Sequence, residues 1–459
     1  MKQYLGRRLL AGTLFGVHLR REISRRSLAA MTALTMAYLV IPASALAQNA
    51  YITNNGSDTV SVINTASNAV TATIPVGHLP YGVAVSPDGS TVYTANQSGT
   101  VSVINTATNT VTTTIPVGPL ALGVAVTPDG SKAYATDESN NTVYVISATS
   151  NTVIATINVG VHPTGLVVTP DGTKVYVSLA GDRAVSVIST TSNTVIGSEI
   201  PVGNAYGIAV TPDGSTVYVN NYVDNTVSVI NTATNTVTTT LPVGATPNEV
   251  AVSPDGSEAY VTNGSSNNVS VINTATNTVT ATIPVGTAPA GVAFTADGST
   301  AYVANSAYQG NNTVSVISTA TNTVIGSPIP VGTQPVAFGS FIQAGTSVRI
   351  SIKPPAAPPV AINLSSNGVT PVAILSTSTF DATQVNPATI SLSGAAVKLK
   401  GNGGYSCSKQ DVNGDGLADL VCQVTTSALN PGNGVAVLTA KTFSGTAITG
   451  QEAITVVSQ

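Results

Sequence analysis

The twelve residues "VSVINTATNTVT" at 101–112 recur letter for letter at 227–238 and 269–280. Close variants of the same stretch fill the chain between and around these copies, so the unit must be read together with its spacing. Pro-Asp-Gly triplets start at Pro87, Pro128, Pro170, Pro212 and Pro254, and an Ala-Asp-Gly variant starts at Ala296. The first step is 41 residues and each later step is 42. Within one period, "GVAVTPDG" (123–130) leads through its turn to "KAYATD" (132–137), "TVYVIS" (142–147) and "NTVIATINVG" (151–160). These four runs alternate apolar and polar residues between turn signals, which reads as four strands, A to D. A period of about 42 residues built from four strands is the mark of a β-propeller blade.

The count of copies decides how the ring would close. The C-strand marker appears at Ser61, Ser102, Tyr144, Ser186, Ser228, Ser270 and Ser315, one more time than the A–B turn. Tyr51 opens a B strand with no room before it for an A strand. After the last D strand, which ends at Gly332, "QPVAFGSFI" (334–342) reads as an A strand with no turn behind it. The expected fold is therefore all-β: a seven-bladed propeller of four-stranded blades, closed by three N-terminal strands and one C-terminal strand, followed by a smaller β-sandwich-like domain. Proline in the D runs (Pro116, Pro201, Pro242, Pro284) places D at the outer edge, because proline lacks the ladder donor. The small apolar A runs suit the inner position. The tyrosines near the start of each B strand (Tyr51, Tyr93, Tyr134, Tyr176, Tyr218, Tyr260, Tyr302) recur at one place and read as packing.

"YITN", "YVTN" and "VSVINTATNTV" with the Pro-Asp-Gly turn closely resemble the YVTN family of β-propellers of bacterial and archaeal surface proteins. The resemblance covers 51–342 and implies a surface or exported propeller. Tryptophan is absent, so the Gly-His to Trp-Asp signature of the other common propeller repeat is missing.

A binding face is expected where the copies differ. The A–B and C–D turns are nearly invariant, whereas the B–C loops and D–A crossovers vary, and variable loops on a rigid scaffold carry recognition. Tyr81, Asp137, His162, Arg183, Tyr206, Tyr222, Glu249 and Asn305 are the candidate ligand-binding residues near the channel mouth, against the alternative that they decorate loops and pack blades. No catalytic residues are assigned. His78 and His162 belong to different crossovers, and no nucleophile-elbow motif is present. The expected function is a non-catalytic platform for a protein or cell-surface glycan. The alternative is a periplasmic hydrolase or lyase, lactonase-like, on the variable face. Histidines far from acidic partners would favour the platform.

Of 459 residues, 42% are hydrophobic and 8% charged, which argues for a folded chain. Arg7, Arg8, Arg20, Arg21, Arg25 and Arg26 precede an apolar run from Leu28 to Ala47 ending "ASALA". Residues 1–47 thus read as a secretory signal. "SRRSLAA" (24–30) also resembles a twin-arginine signal, so either export route is compatible. Its removal takes seven of the 16 basic residues and one of the 20 acidic ones. The acidic remainder excludes nucleic acid as a partner, since that binding rests on phosphate neutralisation. No later stretch approaches the roughly 18 apolar residues of a membrane span. A monomer in the periplasm, on the cell surface or outside the cell is expected.

The period stops after Ile342, giving a propeller over 48–343 and a second domain over 344–459. "INLSSNGVTPVAIL" (362–375), "FDATQVNPATISL" (380–392) and "DVNGDGLADLV" (411–421) resemble a β-rich module at the C-termini of secreted bacterial and archaeal proteins. In "DVNGDGLAD", Asp411, Asn413, Asp415 and Asp419 hold positions 1, 3, 5 and 9, and Gly416 holds the sixth. With the Leu417 carbonyl, this spacing predicts a structural calcium loop; the alternative is an Asp/Asn turn satisfied by its own backbone. Cys407 and Cys422, the two cysteines, bracket the loop. In an exported chain they are expected to form a disulfide.

Overall fold

The computed structural model describes residues 48–306, 312–343, 346–347, 350–352, 360–362, 368–376, 381–401, 403–429, 435–441 and 447–456. The expected signal segment, 1–47, lies outside them. The described residues are all-β apart from three short 3-10 turns, the first at Ala382–Gln384. Strands A to D of the period pair in order as antiparallel sheets. Pro80–Val85, Thr91–Asn96, Thr100–Asn105 and Thr110–Pro116 make one such sheet. The pattern repeats down to Pro289–Phe294, Thr300–Asn305, Thr313–Ser318 and Thr323–Pro330. In one sheet, strand D is split into Thr194–Val195 and Ile200–Pro201, with Gly197 at φ 71° between them.

Burial follows strand position. B and C strands are buried nearly throughout, whereas D strands such as Thr110–Pro116 alternate exposed and half-buried residues up to a buried Ile115 and end on an exposed proline. The ladder donor that Pro116 lacks is therefore missed only at a wet edge.

The first strands, Asn49–Asn54, Thr59–Asn64 and Ala69–Pro75, form a three-stranded sheet. Residues 335–342 run antiparallel beside Asn49–Asn54, with bridges Asn54–Pro335 and Ala50–Ile342. The Tyr51 N–H donates to Phe341 O (2.8 Å), and the Val336 N–H donates to Thr53 O (2.9 Å). The unpaired edge of the first sheet is covered by the chain's own later segment.

The repeated turn letters have local causes. In each C–D turn the last asparagine is left-handed, from Asn68 (φ 51°) to Asn322 (φ 52°), a conformation asparagine tolerates better than most residues. The first asparagine makes an Asx turn: Asn105 Oδ1 accepts from the Ala107 and Thr108 N–H groups at 3.0 Å. The left-handed asparagine also serves the neighbouring sheet. Tyr134 Oη donates to Asn193 Oδ1 (2.9 Å), Tyr176 Oη to Asn235 Oδ1 (2.7 Å) and Tyr218 Oη to Asn277 Oδ1 (2.8 Å). The B-strand tyrosines are at most 2% exposed, as packing residues should be.

Tyr302, on the last repeated sheet, reaches the first one: its hydroxyl lies 3.1 Å from Thr65 O and 2.5 Å from Asn68 Oδ1. Tyr302→Phe keeps the ring packing and removes this bond. It is expected to cost about 1 kcal/mol in urea unfolding, the net worth of a typical hydrogen bond. An unchanged midpoint would mean that the bond between the last and first sheets contributes nothing.

Beyond the repeat, Ile350–Ile352, Val369–Ile374, Asp419–Thr425 and Cys407–Gln410 form one sheet, and a second is built around Val435–Lys441 and Ala447–Val456. Ile352, Val372 and Val424 of the first share a buried cluster with Leu392, Leu438 and Ile448 of the second. A disulfide joins Cys407 and Cys422, which face each other across adjacent antiparallel strands with Cα atoms 4.1 Å apart.

Candidate functional site

The inner strands meet around an axial channel, and their third residue decides how closely they approach. That residue is Gly82, Gly123, Gly165, Gly207, Glu249 and Gly291 in the repeats, and Ala337 in the last segment. A Cβ at Gly82 would lie 2.2 Å from Leu122 O, one at Gly207 2.3 Å from Asn248 O, and one at Gly291 2.0 Å from Ala337 O. Adjacent inner strands therefore press backbone onto glycine Cα atoms.

Glu249 is the departure from this pattern. It is 3% exposed, Oε1 accepts from its neighbour Val250 N–H (3.2 Å), and Oε2 is buried without a hydrogen bond. Burial pushes its carboxyl up to about 8, against the pull of the Val250 and Gly339 backbone N–H groups.

Around Glu249 the channel has two unlike ends. Toward the variable loops, the Tyr81 and Tyr206 hydroxyls bond each other. Both rings lean on Phe338, with centroids 5.6 and 5.2 Å away, and Tyr222 of a B–C loop packs on Tyr206 at 5.3 Å. Burial pushes the Tyr81 phenol up to about 12 and Tyr206 well above its ordinary value. Toward the Pro-Asp-Gly turns lies a cavity of about 420 Å³, lined by the second halves of the inner strands and by Pro254 and Ala296. Between the two ends a void of about 10 Å³ touches Glu249, Gly123, Gly165 and Phe338.

Four of the eight expected ligand residues thus converge: Tyr81, Tyr206, Tyr222 and Glu249. The other four do not. Asn305 and Asp137 both end a B strand and are 0% exposed. Asn305 Nδ2 donates to Ser315 Oγ (3.0 Å), as Asn96 does to Ser102 and Asn221 to Ser228. Asp137 instead accepts from the Ser139 N–H (3.1 Å) and Asn140 Nδ2 (2.7 Å). Both are scaffold, held at a position that every copy buries.

His162 and Arg183 are exposed. The His162 backbone is latched by Asn141 Oδ1 (2.9 Å), just as Thr246 is latched by Asn225. Arg183 lies 2.8 Å from both Asp224 oxygens, and its hydrogen bond holds that carboxyl below the usual range. The histidines were expected far from acids if the chain is a platform; instead His78 Nδ1 is 2.9 Å from Asp58 and His162 Nδ1 is 3.7 Å from Glu138. The pairing is local to the crossovers. The left-handed loop residue Asp58 also accepts the Leu79 N–H at 2.9 Å, so its carboxylate is a latch that a histidine happens to flank.

In the "DVNGDGLAD" loop the acidic side chains serve their own backbone. Asp411 accepts from the Gly414 (2.7 Å) and Gly416 (2.9 Å) N–H groups, and Asp415 accepts from the Leu417 N–H (2.9 Å). Asp419 is 0% exposed; one of its oxygens accepts the Ser376 N–H (2.8 Å) and the other accepts the Val412 N–H of the loop (3.0 Å). Among the described residues, no three or more His, Cys, Asp or Glu side chains stand together so as to hold a metal ion.

With this geometry in place, three comparisons bear on the class of protein. The YNCE-like beta-propeller family matches residues 118–301. Hydrazine synthase from Kuenenia stuttgartiensis superposes with a TM-score of 0.54 and 23% identity, over 59% of this chain and 92% of that one. A functionally unknown protein from Desulfotomaculum acetoxidans DSM 771 superposes with a TM-score of 0.56 and 18% identity, over 63% of this chain and 97% of that one. At such identities the likeness concerns the fold. The repeat region is a β-propeller. In sequence, the PE-PGRS family protein PE_PGRS18 of Mycobacterium tuberculosis (strain ATCC 25618 / H37Rv) is 59% identical over 39 residues, and the chain spans only 8% of that relative's length.

Proposed function

We propose that residues 48–343 form a closed seven-bladed propeller, that 344–459 form a separate β-sandwich-like module, and that the protein is an exported, non-catalytic binding platform. Ring closure is supported by the pairing of 335–342 with Asn49–Asn54 and by the reach of Tyr302 to Asn68. Export is supported by the arginine-rich leader and by the disulfide, which persists in oxidising compartments. Among the described residues, no helix is long and apolar enough to cross a membrane.

The observation that carries the binding reading is the cluster of Tyr81, Tyr206, Tyr222 and Phe338 at the variable-loop end of the axis, where the three tyrosines are each partly exposed. Rigid aromatic rings amid Asn- and Ser-rich loops suit stacking on a sugar or capture of a protein surface. The hydrolase or lyase reading asks for convergent acid, base and nucleophile groups. His78 and His162 instead sit on separate crossovers, each with one local carboxylate.

Surface plasmon resonance against immobilised cell-surface glycans and envelope proteins tests this. Tyr222→Ala is expected to weaken binding about tenfold or more without changing stability appreciably. Turnover of an ester or lactone by the wild-type protein would sink the platform reading.

The calcium expectation rests on spacing. Asp411, Asn413, Asp415 and the Leu417 carbonyl would face the ion once the Gly414 and Gly416 amides are released, with Asp419 kept as the anchor to Ser376.

A further inference from the structure

We propose that the axial channel on the Pro-Asp-Gly side of Glu249 is a binding site for a small primary amine, with the ammonium against the Glu249 carboxyl and the alkyl body along the inner-strand valines. The site is separate from the aromatic end proposed as the platform. Its volume, about 420 Å³, lies in the range of small-molecule sites. Its walls combine inner-strand valines, among them Val85, Val126, Val168, Val210 and Val252, with a nearly equal share of polar surface that includes Glu249, Ser340 and Gln343. The Gln343 amide at the rim is already committed to Gly89 O at 2.7 Å.

Oε2 of Glu249 is buried and without a hydrogen bond, so the carboxyl has an acceptor left to offer a donor that reaches the waist of the channel. Among the described residues, no Lys, Arg or His lines the cavity, so these residues offer a carboxylate or phosphate no partner and set it facing Glu249. An ammonium donates without asking for acceptance, and its bond to a carboxylate is among the stronger kinds.

The repeat supplies an independent argument. Every other copy places glycine or alanine at this position, so the scaffold does not require a side chain there, least of all a desolvated acid. The other titratable side chains facing the waist are the Tyr81, Tyr206 and Tyr222 phenols, with Glu138 acting on them from farther out. In the empty channel Glu249 is mostly protonated at neutral pH, so amine uptake drives a proton from it into the buffer.

The test is titration calorimetry of the full mature chain with n-hexylammonium, and with hexanol and hexanoate as controls, at pH 7 in two buffers of different ionisation enthalpy. Hexylammonium is expected to bind with proton release. Glu249→Gln is expected to bind it about tenfold or more weakly. Glu249→Gly restores the residue of the other copies, guards against misfolding, and should show the same loss. Equal hexylammonium affinity in wild type and both variants, no hexylammonium binding at all, or hexanol binding as tightly as the amine would each overturn the proposal.

Discussion

Glu249→Gln is expected to stabilise the protein at pH 9 and to leave it unchanged at pH 4. The folded-state pKa, about 8, lies above the ordinary 4.5. The folded chain therefore keeps a proton that the unfolded chain has already released, and stability falls as pH rises between those two values. Integrated over the window, ionising the buried acid costs up to about 5 kcal/mol, and glutamine is spared that cost. Aspartates of the A–B turns act in the opposite sense. Asp129 and Asp171 are held below the usual range chiefly by the Thr127 and Thr169 hydroxyls, so their contribution is present above the ordinary carboxylate pKa and is lost as pH falls through the lowered one. That loss is shared by wild type and variant and cancels in the difference. Melting temperatures measured from pH 4 to 9 should diverge above pH 5. Parallel curves would show that Glu249 is solvated, and the buried acid would drop out of both the stability argument and the channel argument.

Reduction of the Cys407–Cys422 bond should cost the C-terminal sheets about 3 kcal/mol, the chain-entropy value for a loop of this size. The bond ties strand Cys407–Gln410 to strand Asp419–Thr425 across the acidic turn, with a sequence separation of 15. Cys422 is 0% exposed beside Val372 and Val424. The thiol still fills its place after reduction, and the loss falls mainly on the unfolded chain's freedom. Denaturant unfolding followed by tyrosine fluorescence and circular dichroism, with and without reductant, measures it. A transition indifferent to reductant would place those sheets' stability in their cluster alone. EDTA belongs in the same experiment: a further fall in midpoint, reversed by calcium, is expected if the loop takes the ion. No response would leave the turn satisfied by its own amides.

Much of this architecture is legible letter by letter because the forces behind it are local. Left-handed asparagines, Asx turns, glycine after Pro-Asp and proline at an outer edge each depend on a few neighbouring residues, and a 42-residue period writes them out repeatedly. Repetition also identified the tyrosines, although not their bond to the next sheet's asparagine. Asp137 and Asn305 misled for a related reason. They stand beside variable loops in the chain, yet their side chains turn inward at the end of a B strand, and only comparison with Asn96 and Asn221 exposes them as scaffold. Glu249 was legible as a candidate, but as a loop residue on the variable face. The stronger signal was its replacement of glycine in an otherwise small-residue column.

The sequence by itself determined the strands, their order within a sheet and the turn chemistry, since pairing between consecutive segments needs only short-range pattern. The tertiary structure decided what the columns do. Third residues about 42 positions apart meet only when sheets pack around a common axis, and that meeting desolvates one carboxyl, places three tyrosines and a phenylalanine toward one end of the channel, and leaves a cavity toward the other. Burial of an ionisable group is a property of every neighbour at once, and no stretch of chain carries it alone.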